Sequence, residues 1–89
     1  MRVILSPPAK RQFNKLDKPI QERISKYLLK VARLENPRSF GRALKGSLGD
    51  FWRYRVGDYR IICKIQDDEL VITVVRVGHR RDVYISYPQ

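Results

Sequence analysis

Residues 51–66 read FWRYRVGDYRIICKIQ, and their pattern decides the fold class. Apolar and polar side chains alternate on both sides of Gly57-Asp58, a dipeptide that is typical of a tight hairpin turn. The stretch therefore predicts two antiparallel strands, Phe51–Val56 and Tyr59–Gln66. After a turn at residues 67–69, Leu70–Val77 is a nearly uninterrupted apolar run that suits a central strand covered on both faces.

Two helices are predicted before the hairpin. The first follows Ser6-Pro7-Pro8 and runs to about Asp17, because Ala9, Phe13 and Leu16 recur at helical spacing. Pro19 opens the second, and Glu35-Asn36-Pro37 ends it. One continuous stripe makes the second helix amphipathic, formed by Ile20, Ile24, Tyr27, Leu28, Val31 and Leu34.

The remaining segments complete the predicted order. Val3–Leu5 is a short strand, residues 36–50 form a loop with a short strand near 43–45, and residues 83–85 form a last short strand. The order β-α-α-β-β-β predicts an α+β fold with two helices packed on one face of a mainly antiparallel sheet. With 89 residues, the chain is expected to be a single domain, 1–89.

Charge is the strongest compositional feature, with a net charge of +10. Such an excess attracts polyanions, which leaves nucleic acid, an anionic membrane surface and an acidic protein as candidate partners. No segment approaches the ~20 apolar residues of a membrane helix, and the apolar N-terminal stretch is too short for a signal peptide. The lone Cys63 lies in an apolar run, so we expect a buried thiol in a reducing, cytoplasmic protein.

Alternation brings three arginines to one surface of the predicted hairpin. Arg53 and Arg55 share a face of their strand, and hairpin pairing adds Arg60 to it. Like charges this close repel one another, which favours an anion-binding site over the alternative, a solvated outer face. Trp52 and Tyr54 point the other way and are expected in the core, although stacking of Trp52 on a base is the competing interpretation.

Residues 77–84, VGHRRDVY, follow the last long strand and combine several reactive groups. Histidine is the residue type most often used for proton transfer, so His79 is a candidate acid or base, while Arg80 and Arg81 supply fixed cations and Tyr84 supplies a hydroxyl. We expect Asp82 to orient a neighbouring arginine through an ion pair. One histidine and one nearby carboxylate are too few ligands for a metal, so no metal site and no cofactor are predicted.

The motifs in residues 44–46, 52–61 and 77–84 resemble those of the RelE toxins of bacterial and archaeal toxin–antitoxin systems, and with the preceding elements the resemblance covers nearly the whole chain. It implies an endoribonuclease that enters the ribosomal A site and cuts mRNA through the RNA's own 2′-hydroxyl. It also implies a cognate antitoxin, acidic in charge, that wraps the toxin in a hetero-oligomeric complex.

Carried over by position, Arg60 resembles the family's transition-state arginine and Arg80 the arginine beside the leaving 5′-oxygen. Tyr84 resembles the tyrosine that orients the substrate. Arg53 and Arg55 stand where the best-studied relatives have lysines, and we expect Arg55 to be a catalytic residue and Arg53 to bind RNA. Arginine does not give up its proton at neutral pH, so His79 is the candidate for proton transfer, with Tyr84 as the alternative. Further candidate RNA-binding residues are Lys45, Lys64 and Arg81.

Two other functions remain open from the sequence. The related ParE toxins share this fold and bind DNA gyrase without cleaving RNA, and a non-enzymatic RNA-binding module would need only the charge. A basic stripe on the second helix also has three interpretations: a solvated face, a contact with ribosomal RNA, or a contact with an acidic antitoxin helix. The stripe consists of Arg23, Lys26, Lys30 and Arg33.

Overall fold

The computed structural model describes residues 1–44 and 51–83. The elements, in chain order, are β1 (Arg2–Leu5), α1 (Pro7–Asn14), α2 (Lys18–Arg33), β2 (Arg42–Ala43), β3 (Trp52–Val56), β4 (Tyr59–Gln66) and β5 (Val71–His79).

The strands form one sheet in the order β1-β5-β4-β3-β2. β1 is parallel to β5, and the other three neighbouring pairs are antiparallel. The two helices pack on one face of this sheet, which confirms the predicted fold class. β5 is an interior strand, because both β1 and β4 pair with it.

The two helices meet at a tight corner. Ser6 caps α1, since its hydroxyl accepts a hydrogen bond from the Ala9 N–H at 3.3 Å. The helix ends at Asn14, earlier than the predicted Asp17, and α2 begins at Lys18. Gln21 explains why the corner is stable: its Nε2 donates to the carbonyl oxygens of Phe13, Asn14 and Leu16 at 3.2, 3.3 and 2.9 Å.

The core lies between the helices and the sheet. Its buried side chains come from both layers: Ala9, Ile24, Leu28, Val31, Tyr54, Val56, Ile61, Cys63, Ile72, Val74 and Val77. Burial raises the pKa of the Cys63 thiol, so the thiol stays protonated and unreactive, as the sequence predicts.

The prediction that Trp52 and Tyr54 face the core is confirmed. Tyr54 is fully buried, and its hydroxyl donates to the Pro37 carbonyl oxygen at 2.7 Å. The Trp52 indole N–H donates to the Phe40 carbonyl oxygen, also at 2.7 Å. Both polar groups are therefore satisfied inside the protein, and neither ring is presented on the opposite face of the sheet.

The prediction that β5 is covered on both faces agrees with its burial, because none of its residues is exposed and the neighbours Val71 and Ile72, which point to opposite faces, are both buried. An irregularity between Ile62 and Cys63 explains the apolar run. Cys63 pairs with Val74 while Ile62 pairs with Arg76, so Val75 is an extra residue that shifts the alternation. Val74 and Val77 can therefore both face the helices although an odd number of positions separates them.

Of the three predicted short strands outside the hairpin, β1 is present and the other two differ from the structure. Arg42–Ala43 form β2, one residue before the predicted segment at 43–45, whose residue 45 lies outside the described residues. Residues 80–83 form a turn instead of starting a strand, since the N–H groups of Asp82 and Val83 both donate to the His79 carbonyl oxygen at 2.9 and 3.0 Å. Residues 84 and 85 lie outside the described part of the chain. None of the described helices is long and apolar enough to cross a membrane.

Candidate functional site

The sheet face opposite the helices carries a cluster of arginines arranged in two rows. Directly paired residues share a face of a sheet, so the register defines the rows. One row crosses four strands as Arg42, Arg53, Ile62 and Arg76. The next row crosses three strands as Arg55, Arg60 and Gly78. We call this surface the arginine face, after Arg42, Arg53, Arg55, Arg60 and Arg76.

Arg55 and Arg60 stand directly opposite each other beside the hairpin turn. The Arg60 guanidinium is held there, because its Nη1 donates to the carbonyl oxygens of Gly57 and Tyr59 at 3.0 and 3.2 Å. Gly57 enables this tight turn with a φ of 57°, which few side chains tolerate. The predicted meeting of Arg53, Arg55 and Arg60 on one face is thus confirmed.

Arg80 is attached to the same turn. Its backbone N–H donates to the Asp58 carbonyl oxygen at 2.7 Å, and its Nε lies 3.8 Å from Asp58 Oδ1. After His79 the chain folds onto the arginine face. A Cβ built on Gly78, which shares that face with Arg60, would lie 3.4 Å from the Val83 Cβ. Arg60 and Arg80 are therefore both held at the β3–β4 turn.

His79 does not join this group. It pairs with Tyr59 on the helix side of the sheet, and the two rings pack edge to face with centroids 5.7 Å apart. Its Nδ1 accepts a hydrogen bond from the Arg81 N–H at 3.2 Å. The His79 ring therefore lies on the opposite side of the sheet from the arginine face.

The sequence patterns did not indicate two arginines of the arginine face, Arg42 and Arg76. Arg42 lies in a strand of two residues, which is too short to show alternation, and Arg76 lies next to the irregularity that shifts the period of β5. Arg76 is a single charged residue within an apolar strand, and this feature could have indicated that its side chain lies outside the core. Arg42 also lines a cleft of about 510 Å³ beside β2, together with Tyr27, Gly41, Arg53 and Arg55.

The other predicted site residues are dispersed. Lys64 is exposed and pairs with Thr73 on the arginine-face side of β4, and Arg81 is exposed in the turn after β5. Lys45 and Tyr84 lie outside the described residues. The expected ion pair of Asp82 is not found among the described residues, where Arg80 contacts Asp58 instead.

The chemistry of this surface is that of fixed cations. Guanidinium groups donate several hydrogen bonds and remain charged, so they bind phosphate and stabilise the extra negative charge of a phosphorane. In the described residues, no three His, Cys, Asp or Glu side chains come together as metal ligands. The arrangement can therefore hold a phosphate group and stabilise added negative charge on it, while proton transfer needs another group.

Known proteins with similar sequences and structures are toxins. The profile of the family described as "ParE toxin of type II toxin-antitoxin system, parDE" matches residues 3–84. The "Putative RelE-like toxin protein" of Escherichia coli is 35% identical over 80 residues, or 85% of this chain and 81% of that protein. "Toxin RelG" of Mycobacterium tuberculosis is 29% identical over 76 residues, or 85% and 86%. The toxin–antitoxin complex RelBE2 of the latter organism contains a chain that matches with a TM-score of 0.80 at 26% identity, over 91% of this chain and 92% of that one.

Proposed function

This chain belongs to the RelE/ParE superfamily of type II toxin–antitoxin toxins, and we propose that within it the protein is a RelE-type, ribosome-dependent mRNA endoribonuclease. The observation that carries the proposal is the attachment of Arg60 and Arg80 to one hairpin turn, with Arg55 directly opposite Arg60. A protein that only binds RNA needs positive charge on its surface but no defined placement of two cations at one phosphate. Two arginines anchored at the same turn can place two guanidinium groups on a single reacting phosphate.

The proposed reaction uses the RNA's own 2′-hydroxyl. Its oxygen attacks the adjacent phosphorus as its proton passes to a base, the bond from phosphorus to the 5′-oxygen breaks, and the leaving 5′-oxygen takes a proton from water. The products are a 2′,3′-cyclic phosphate and a 5′-hydroxyl. Arg60 stabilises the phosphorane charge, and Arg80 lies beside the leaving oxygen. Arg53 and Arg55 hold the flanking phosphates, with Lys64 and Arg81 as outer contacts. No metal ion is required by this scheme, because arginines supply the positive charge.

The proton of the 2′-hydroxyl needs an acceptor that the arginines do not provide. We assign it to Tyr84 or to a ribosomal RNA group, since His79 packs on Tyr59 at the other side of the sheet. A site without its own acid–base pair gains most from a substrate that is already bent for in-line attack. Dependence on the ribosome follows from this requirement.

The proposed setting is the cytoplasm, with translating ribosomes as target and an acidic antitoxin as the silencing partner. A net charge of +10 supports both, because it accelerates association with ribosomal RNA and with an acidic protein. Structurally similar chains in solved toxin–antitoxin complexes support a hetero-oligomer with the antitoxin.

The decisive experiment compares mRNA on stalled ribosomes with the same mRNA free in solution. We expect cuts in the A-site codon, with 5′-hydroxyl ends that polynucleotide kinase labels without phosphatase treatment, and poor cleavage of free RNA. Efficient cleavage of free RNA at low enzyme concentration would disprove ribosome dependence.

The family profile favours a second candidate, a ParE-like toxin that inhibits DNA gyrase without cutting RNA. The same preparation distinguishes the two in a supercoiling assay with purified gyrase. Inhibition of gyrase with intact mRNA identifies a ParE-like toxin. If the protein neither cuts mRNA nor inhibits gyrase, the remaining candidate is a non-enzymatic basic RNA-binding protein.

Replacing His79 by glutamine tests the proton acceptor. We expect single-turnover cleavage within about tenfold of the native rate and an unchanged pH profile, since the side chain packs on Tyr59 and its Nδ1 already binds the Arg81 N–H. The measurement is the cleavage rate on stalled ribosomes across pH for both proteins. If the variant loses most of its activity, and its remaining rate no longer decreases toward acidic pH as the native rate does, His79 is the base.

A further inference from the structure

The cleft of about 510 Å³ at the β2 end of the sheet, which we call the β2 cleft, has a strongly cationic lining. Arg42, Arg53 and Arg55 line it together with Gly41 and Tyr27, and its described lining includes no carboxylate. The volume is within the range of sites that hold small ligands. Three guanidinium groups around one cleft favour an anion, and phosphate oxygens match the fork of donors that each guanidinium presents.

The two residues before Arg42 hold it beside β3. The Trp52 indole N–H donates to the Phe40 carbonyl oxygen at 2.7 Å. Gly41 has a φ of 80° and packs so closely on β3 that a Cβ at this position would collide with the Arg53 carbonyl oxygen and lie 2.7 Å from the Trp52 Nε1. This close approach brings Arg42 into register with Arg53, so the short strand places a cation at a defined position.

Tyr27 is the part of the cleft lining that α2 contributes. Its ring contacts those of Phe40 and Tyr54, with centroid distances of 5.9 and 5.8 Å, so its position is fixed by packing. Burial raises the pKa of the Tyr27 hydroxyl. The hydroxyl therefore stays protonated and can donate a hydrogen bond to a sugar or phosphate oxygen.

The β2 cleft continues directly from the position of the reacting phosphate. Arg55 lies in the row of Arg60, whereas Arg42 and Arg53 form the next row of the arginine face. Residues two positions apart along a strand are separated by roughly 6–7 Å. Neighbouring phosphates of an extended RNA strand have a similar spacing. A strand that places one phosphate at Arg60 therefore brings the next phosphate to Arg42 and Arg53.

We propose that the β2 cleft binds the phosphate on the 5′ side of the nucleotide whose 2′-hydroxyl attacks, with Arg42 and Arg53 as donors and Tyr27 beside the sugar. The inference rests on the proposed function, which places the leaving 5′-oxygen at Arg80. Arg80 follows β5, and the sheet order β5-β4-β3-β2 puts the cleft on the far side of Arg60 from β5. The RNA strand then runs 5′ to 3′ from β2 toward β5.

Binding of an uncleavable RNA to the free protein tests the site without the ribosome. The probe is a tetranucleotide with a 2′-O-methyl group on every sugar, titrated into the protein and followed by NMR. We expect the Gly41 and Arg42 amides to shift and to saturate together. Arg42→Gln should reduce the slope of log Kd against log salt by about 0.7, the value for one phosphate of a single strand. Lys10→Gln removes the same charge from the exposed side of α1 and should leave the slope unchanged. Shifts confined to the β3–β4 turn, with none at Gly41 or Arg42, overturn the proposal.

Removal of the charge from one phosphate at a time tests which phosphate the cleft holds. A methylphosphonate replaces the phosphate on the 5′ side of the attacking nucleotide, in mRNA on stalled ribosomes. We expect this change and Arg42→Gln each to lower the single-turnover rate by about tenfold, and both together also by about tenfold, because they remove the same contact. A methylphosphonate one phosphate downstream of the cleaved bond is the control, and its effect should multiply with that of Arg42→Gln. Multiplication at the upstream phosphate overturns the proposal, and so does a shared effect at the downstream one.

The two experiments separate failure of the β2 cleft from failure of the proposed function. Cleavage on the ribosome with multiplying effects, and no shift at Gly41 or Arg42, rejects the cleft and keeps the endoribonuclease. Absence of cleavage, with saturating shifts at both amides and the reduced salt slope of Arg42→Gln, rejects the endoribonuclease and supports the cleft as a site for an RNA phosphate. If Arg42→Gln binds the RNA as the native protein does but loses affinity for the antitoxin, the ligand is an acidic protein and the proposal is wrong.

Discussion

Replacing Arg60 or Arg80 by alanine will each lower the single-turnover rate of mRNA cleavage on the ribosome by about 10²-fold or more. Removing one preorganised donor to a developing oxyanion costs roughly 3–4 kcal/mol of transition-state stabilisation. Both guanidinium groups are held at the β3–β4 turn, Arg60 through the Gly57 and Tyr59 carbonyl oxygens and Arg80 through Asp58. Both side chains are therefore anchored near the turn, and we expect the lost interaction to act mainly in the transition state.

Stability should change little in the same variants. The Arg80 side chain is 54% exposed, and Arg60 donates to carbonyl oxygens of a turn that water reaches. We expect the free energy of unfolding to fall by less than about 1 kcal/mol for either alanine variant. Lys10→Ala, on the exposed side of α1, controls for the loss of one charge. A fall in thermal stability that matches the fall in activity would make these arginines structural.

The hairpin was predictable because each of its signals is local. A Gly57-Asp58 turn between alternating segments fixes both the pairing and the faces, so the opposition of Arg55 and Arg60 follows from the sequence. The amphipathic stripe of α2 is equally local, and the structure buries its Ile24, Leu28 and Val31.

The less predictable features depend on contacts between distant segments. The pairing of β1 with β5 joins residues about seventy positions apart, and the irregularity opposite Val75 changes which side chains of β5 face the helices. His79 lies on the helix side of the sheet, but the turn that follows it places Val83 against Gly78 on the arginine face. His79 and Arg80 are neighbours in the sequence, yet the His79 ring packs on Tyr59 on the helix side, whereas the Arg80 N–H binds the Asp58 carbonyl oxygen of the β3–β4 turn.

Arg55→Glu will separate stability from activity most clearly, because the two should move in opposite directions. Arg55 and Arg60 are directly opposed, and like charges at such positions destabilise a sheet while opposite charges stabilise it by roughly 0.2–1 kcal/mol. The substitution should therefore raise the free energy of unfolding by about 1 kcal/mol. Cleavage should fall by more than about 10³-fold, since the new carboxylate repels phosphate and also occupies the Arg60 donors.

The measurement is urea denaturation at low ionic strength, because guanidinium chloride would screen the charges. Arg55→Gln removes the repulsion without adding attraction and should give a smaller gain in stability. Lys64→Glu changes the net charge by the same amount on the same face, opposite Thr73, and corrects for the general relief of self-repulsion at +10. If Arg55→Glu is stabilised no more than Lys64→Glu, the two arginines do not repel each other in the native sheet. If it is stabilised and still cleaves mRNA at the native rate, the arginine face is not where the phosphate reacts.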